Sequence, residues 1–101
     1  MGMQPESRFK LRVLRDLRRL EREDHGLYVL KTQERARRGI LDLILCVKGK
    51  YVSIELKIDG ERPTKLQQYN IDKIRAAGGV AFFTTPFGWP EHLKILKGML
   101  E

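Results

Sequence analysis

A chain of 101 residues, 42% hydrophobic and 33% charged, is long enough for one core and reads as a single domain over 1–101. That composition excludes a disordered or collagen-like chain. The formal net charge of +7 suggests a phosphate-rich partner, or more plainly a solubilising surface.

The charge is uneven. Residues 1–39 carry 11 basic and 6 acidic side chains, whereas 40–101 carry 9 and 7. The first third is therefore the expected polyanion contact.

In chain order, ESRFKLRVLRDLRRLERE predicts a helix. Phe9, Val13, Leu17 and Leu20 fall on one face at helical spacing. Arg8, Arg12, Arg15, Arg19 and Arg22 form a second stripe pointing away from it. Glu6 and Lys10 project on or beside the apolar side. Leu11 and Leu14 fall off the main stripe and are available to a partner.

The turn at DHG leads into a short strand, LYVLK, and then a basic connection, TQERARRG. ILDLILCV, a KGK turn and YVSIELKI predict a β-hairpin. After DGERP, Thr64 is a good N-cap for a helix over TKLQQYNIDKIRAAGG, ended by Gly78 and Gly79. VAFFTT predicts a further strand, and a last helix carries Leu93, Leu96 and Leu100. The order α-β-β-β-α-β-α predicts an α/β fold, a mixed sheet flanked by helices.

Cys46 is the only cysteine, so no intramolecular disulfide can form. Its apolar surroundings predict a buried small hydrophobe. A lone thiol suits a reducing cytoplasm, in a bacterial or phage-infected cell. The amino-terminal residues lack a continuous apolar stretch, so no signal peptide is expected. The longest apolar run, Ile40 to Val47, is broken by Asp42 and is too short to span a bilayer, so no membrane contact is expected.

The residues with chemistry are few. In the second hairpin strand, Val52, Ile54, Leu56 and Ile58 point to the core, and Glu55 and Lys57 share the other face. An acid-x-Lys tripeptide is expected about once by chance in such a chain, so an ordinary exposed ion pair explains it equally well. Asp42 adds weight, because a lone carboxylate in an apolar strand is costly unless paired or bound to a cation. The hairpin register sets it nearly opposite Glu55. Two adjacent carboxylates repel unless a cation joins them, and oxygen donors of this kind suit Mg²⁺ or Mn²⁺.

Gln67 projects inward with Asn70, Ile71 and Ile74. Thr64-x-x-Gln67 is also a capping box, which needs no active site. Glu6 reads either as an acid favoured at a helix start or as an outer-shell acid of the site. No His/Cys set has zinc spacing, and no serine or cysteine has an evident partner base.

Taken together, RGILDLILCVKGKYVSIELKIDGERPTKLQQYNIDKIRAAGGVAFF, from Arg38 to Phe83, resembles the VRR-NUC domain, a branch of the PD-(D/E)xK nucleases. The resemblance rests on Gly39 three residues before Asp42, on Glu55-Leu56-Lys57, on Thr64-x-x-Gln67 and on the Ala-Ala-Gly-Gly ending. The basic first helix with Glu6 near its start is also similar. Leu41 stands where the family usually has proline.

The resemblance implies a restriction-endonuclease-like core that hydrolyses DNA with Mg²⁺ or Mn²⁺. Asp42, Glu55 and the Leu56 carbonyl would hold the metal. Lys57 would orient or activate the attacking water, and Gln67 would support the site. Arg8, Arg12, Arg15, Arg19, Arg35, Arg37 and Arg38 would hold the DNA backbone without reading sequence. Stand-alone members of the family act as homodimers on branched DNA, notably four-way (Holliday) junctions. Flap or duplex DNA remains open as a substrate, as does a non-catalytic basic module that binds nucleic acid.

Overall fold

The computed structural model describes residues 2–33 and 38–101. Its elements are α1 (Pro5–Glu23), β1 (Leu27–Lys31), β2 (Leu43–Val47), β3 (Lys50–Leu56), α2 (Lys65–Ala76), β4 (Val80–Thr84) and α3 (Trp89–Met99). The mixed α/β fold and the expected element order are both present.

The sheet runs in the order β1-β2-β3-β4. The first three strands are antiparallel, and β4 joins β3 in parallel after the α2 crossover. At the β2–β3 hairpin, Lys48 and Gly49 both adopt positive φ, 48° and 84°. Two-residue hairpin turns of the primed type require this backbone, and Gly49 adopts it without strain.

The helices lie on both faces. Phe9, Val13 and Leu17 of α1 and Trp89, Leu96 and Leu100 of the α3 segment are buried against Leu43, Leu45, Val52 and Ile54. Full burial of each such side chain contributes roughly 1.5–3 kcal/mol. The Trp89 indole N–H donates to Asp16 Oδ2 at 2.8 Å, tying α3 to α1. On the opposite face, Ile71 and Ile74 of α2 pack with Leu41 and Ala81.

Three expectations need correction. The strand predicted over residues 40–47 begins only at Leu43: the Asp42 N–H turns to the Glu55 side chain, although its carbonyl still accepts from Thr32 N–H. Cys46 is exposed, not buried. It lies between Tyr28 and Tyr51 in the strand register, and both tyrosines are exposed, so α2 leaves this half of the sheet face uncovered. Glu55 does not lie on an exposed strand face: it is only 4% exposed, because β3 is covered on both sides.

Gly39 and Asn70 set the height of α2 over the sheet. Gly39 has φ +77°, and a Cβ there would come within 2.5 Å of Leu66 Cγ. The Asn70 side chain donates to Gly39 O at 3.0 Å. No helix is long and apolar enough to cross a membrane among the described residues.

Candidate active site

The site lies at one end of the sheet, where β1 ends, β2 begins and β3 ends. The β2–β3 pairing places Leu43 opposite Ile54, so the next pair along the same register is Asp42 and Glu55. There the ladder gives way to a side-chain lock. Asp42 N–H donates to Glu55 Oε1 at 3.2 Å, and Leu56 N–H donates to Asp42 Oδ2 at 2.8 Å. Each strand therefore positions the other's carboxylate.

Lys57 follows immediately. Its N–H donates to Thr84 O at 3.0 Å, which carries the β3–β4 pairing one residue past the strand. Its ammonium lies 3.6 Å from Glu55 Oε2. Gln67 reaches the same oxygen from α2, donating from Nε2 at 3.1 Å. The capping box is present as well: Gln67 Oε1 accepts from Thr64 N–H at 2.9 Å, and Thr64 Oγ1 accepts from Gln67 N–H at 3.1 Å. One side chain thus starts the helix and braces the carboxylate.

Burial pushes the Glu55 carboxyl up from 4.5 to about 7, and the adjacent charge of Asp42 adds to the effect. Lys57 pulls in the opposite direction without cancelling it. Two ammonium groups already face this pair, Lys57 at 3.6 Å from Glu55 and Lys10 at 3.8 Å from Asp42, and a divalent cation between the carboxylates would relieve the repulsion that remains.

The donor set fits such an ion. Among the described residues no group of three or more His, Cys, Asp or Glu stands together, so two carboxylates and nearby backbone are what is offered. Mg²⁺ is commonly held by one or two carboxylates, with water and substrate oxygens completing its shell. The Asp42 side chain is 26% exposed and borders two cavities. The larger, about 730 Å³, is walled by Lys10, Lys31, Thr32 and Leu56. The smaller, about 200 Å³, is walled by Arg38, Glu55 and Gln67.

Asp42, Glu55, Leu56, Lys57 and Gln67 are thus brought together, with Arg38 at the rim. Glu6 is not. It is exposed in the first turn of α1, and among the described residues it makes no ion pair or side-chain hydrogen bond. Its neighbour Ser7 lines the larger cavity instead.

The arginine stripe divides. Arg8 and Arg12 flank a small cavity with Ile58 and Pro86, near the Lys57 end of the site. Arg15 is exposed, and Arg19 is paired with Glu23 at 3.2 Å, beside a cavity it shares with Lys97 of α3. Arg35 and Arg37 lie outside the described residues.

Two contributors were missed from the sequence. Lys10 places its ammonium 3.8 Å from Asp42 Oδ1. Its unusual position beside the apolar stripe was the available signal. Thr32 Oγ1 lies 2.8 Å from Leu41 O and 3.0 Å from Asp42 O, and Thr32 N–H donates to Asp42 O. Nothing in the linear pattern links Thr32 to Asp42.

No family model, no curated protein and no solved structure matches the chain.

Proposed function

We propose that this protein is a metal-dependent DNA endonuclease that hydrolyses phosphodiester bonds, with branched DNA such as four-way junctions as substrate and a homodimer as the acting form. One observation carries the reading: the reciprocal lock of Asp42 and Glu55 at the end of the sheet, with the Lys57 ammonium beside it. The resemblance to VRR-NUC nucleases supplies the substrate class and the homodimer.

Asp42, Glu55 and the Leu56 carbonyl would hold Mg²⁺ or Mn²⁺. Such an ion, when bound, supplies Lewis-acid activation of the phosphate and of water. Gln67 keeps Glu55 turned toward Asp42. Lys57 orients the attacking water and places positive charge where negative charge grows on the phosphate. Arg38 and Lys10 border the two cavities and can hold flanking phosphates. Arg8, Arg12 and Arg15, exposed and unpaired among the described residues, extend that basic surface along α1.

The test is a cleavage panel of single-stranded, duplex, flap, splayed-arm and four-way DNA with Mg²⁺ and Mn²⁺. Asp42→Ala and Lys57→Ala are expected to lower cleavage at least about a hundredfold while DNA binding persists. Unchanged cleavage by both variants would defeat the assignment.

A second reading has its own support. Every oxygen of Asp42 and Glu55 already has a partner within the protein. Such a closed polar network also suits a non-catalytic basic module that only binds nucleic acid. That reading predicts salt-sensitive binding and no metal-dependent hydrolysis in the same panel.

A further inference from the structure

Phe87 is 90% exposed, the most exposed large apolar side chain among the described residues. A ring in that position adds nothing to the core. Single exposed apolar residues are common, so exposure alone means little. Two other observations set Phe87 apart.

The first is that its backbone is held. Phe87 N–H donates to Asp59 Oδ1 at 3.1 Å. Immediately beyond it, Gly88 N–H donates to Thr85 Oγ1 and Trp89 N–H donates to Thr85 O. Trp89 itself is wholly buried. The ring therefore projects from a fixed loop, which lowers the ordering entropy lost on binding.

The second is its place. Asp59 lies two residues beyond Lys57, and Thr84, at the start of the loop, accepts the Lys57 N–H. Pro86, directly before the ring, shares a cavity with Arg8 and Arg12. An exposed ring one residue from a cavity lined by two arginines, at the Lys57 end of the candidate site, matches the chemistry of an unstacked base. The ring offers a stacking surface, and the guanidinium groups hold the backbone.

We propose that Phe87 is a stacking wedge for DNA: it docks against an unpaired or branch-point base of the strand whose phosphates Arg8 and Arg12 hold. This rests on the nuclease reading for its ligand and adds a selector of substrate structure. Continuous duplex offers the ring no open base face, whereas a junction, a flap base or a single strand does.

The experiment measures binding of the full chain to splayed-arm, four-way and duplex DNA in Ca²⁺, with 2-aminopurine next to the branch point. Cleavage in Mg²⁺ is followed in parallel. Phe87→Ala is expected to weaken binding to branched DNA about fivefold or more, with duplex binding unchanged. Phe87→Trp is expected to restore it. The 2-aminopurine emission should fall on binding to wild type, and further with Phe87→Trp, as the ring stacks on the base, but not on binding to Phe87→Ala. Because the side chain packs against nothing, the melting temperature should hardly move.

If Phe87→Ala keeps the full preference for branched DNA, the wedge is wrong, whatever the cleavage result. If Phe87→Ala changes the oligomeric state instead, the ring belongs to a protein contact and the wedge is again wrong. If wild type shows Phe87-dependent binding but no cleavage, the catalytic reading fails and the wedge stands. Absence of DNA binding by wild type overturns both.

Discussion

Gln67 gives its side-chain amide to Glu55 and its side-chain carbonyl to the backbone of Thr64, at 3.1 and 2.9 Å. The start of α2 and the orientation of a candidate metal ligand are therefore one arrangement. The two duties can be separated. Gln67→Glu keeps an acceptor for Thr64 but replaces the donor with a second charge beside Glu55. It should fold nearly as well as wild type at pH 5 and lose cleavage and thermal stability at pH 8. Gln67→Ala should lose about 1 kcal/mol of stability through the cap at both pH values. Melting curves at the two pH values distinguish the variants.

Glu55 makes the fold sensitive to pH in a definite direction. Its carboxyl titrates near 7 in the folded chain, against 4.5 as its ordinary value. The folded state therefore holds the proton more tightly than the unfolded state. Stability from this group is full below about 4.5, falls as pH rises toward 7, and stays low above it. The loss is roughly 3 kcal/mol. Glu55→Gln should be more stable than wild type at pH 8 and similar to it at pH 4. Mg²⁺ or Mn²⁺ should raise the wild-type melting temperature at pH 8 and leave Glu55→Gln unmoved. Equal responses of the two proteins to metal would count against Glu55 as a ligand.

Lys10 and Asp42 are partly exposed, with side chains 34% and 26% accessible. Their attraction is screened and contributes under about 1 kcal/mol. Lys10→Met should therefore leave the melting temperature nearly unchanged. It should lower DNA affinity and reduce the slope of log affinity against log salt by about one. A salt titration of binding by wild type and variant checks this.

Gly39 holds a conformation and a space that no side chain fits. Gly39→Ala should destabilise the protein by about 1–3 kcal/mol, through the positive φ and the clash with Leu66. The displacement of α2 should also reduce cleavage, because Gln67 rides on that helix. Urea unfolding and cleavage rates should fall together; a variant as stable as wild type would show that α2 is free to shift.

Much of this was legible in the chain. The apolar stripe of Phe9, Val13 and Leu17, the alternation of Val52, Ile54 and Leu56, and the Thr64 cap gave the elements in order, because each rests on local periodicity. The KGK turn then gave the register, and with it the Asp42–Glu55 pair. What remained hidden depends on which helix covers which strands. The alternation in β3 separates two faces but does not say that α2 closes over Glu55. Nor does the apolar run around Cys46 reveal that α2 stops short of β1 and β2. Lys10 and Thr32 reach Asp42 only through the docking of α1 and the pairing of β1 with β2, neither of which is a local property.

The indole bridge from Trp89 to Asp16 has a practical use. This is the only tryptophan in the chain, and its ring is fully buried. It links the first and last helices, so its near-ultraviolet emission should shift to the red when those helices separate. The molecule thus carries an optical probe of its own tertiary structure on the side of the sheet opposite α2. Unfolding of each variant except Phe87→Trp, which adds a second indole, can be followed in that emission without an added label.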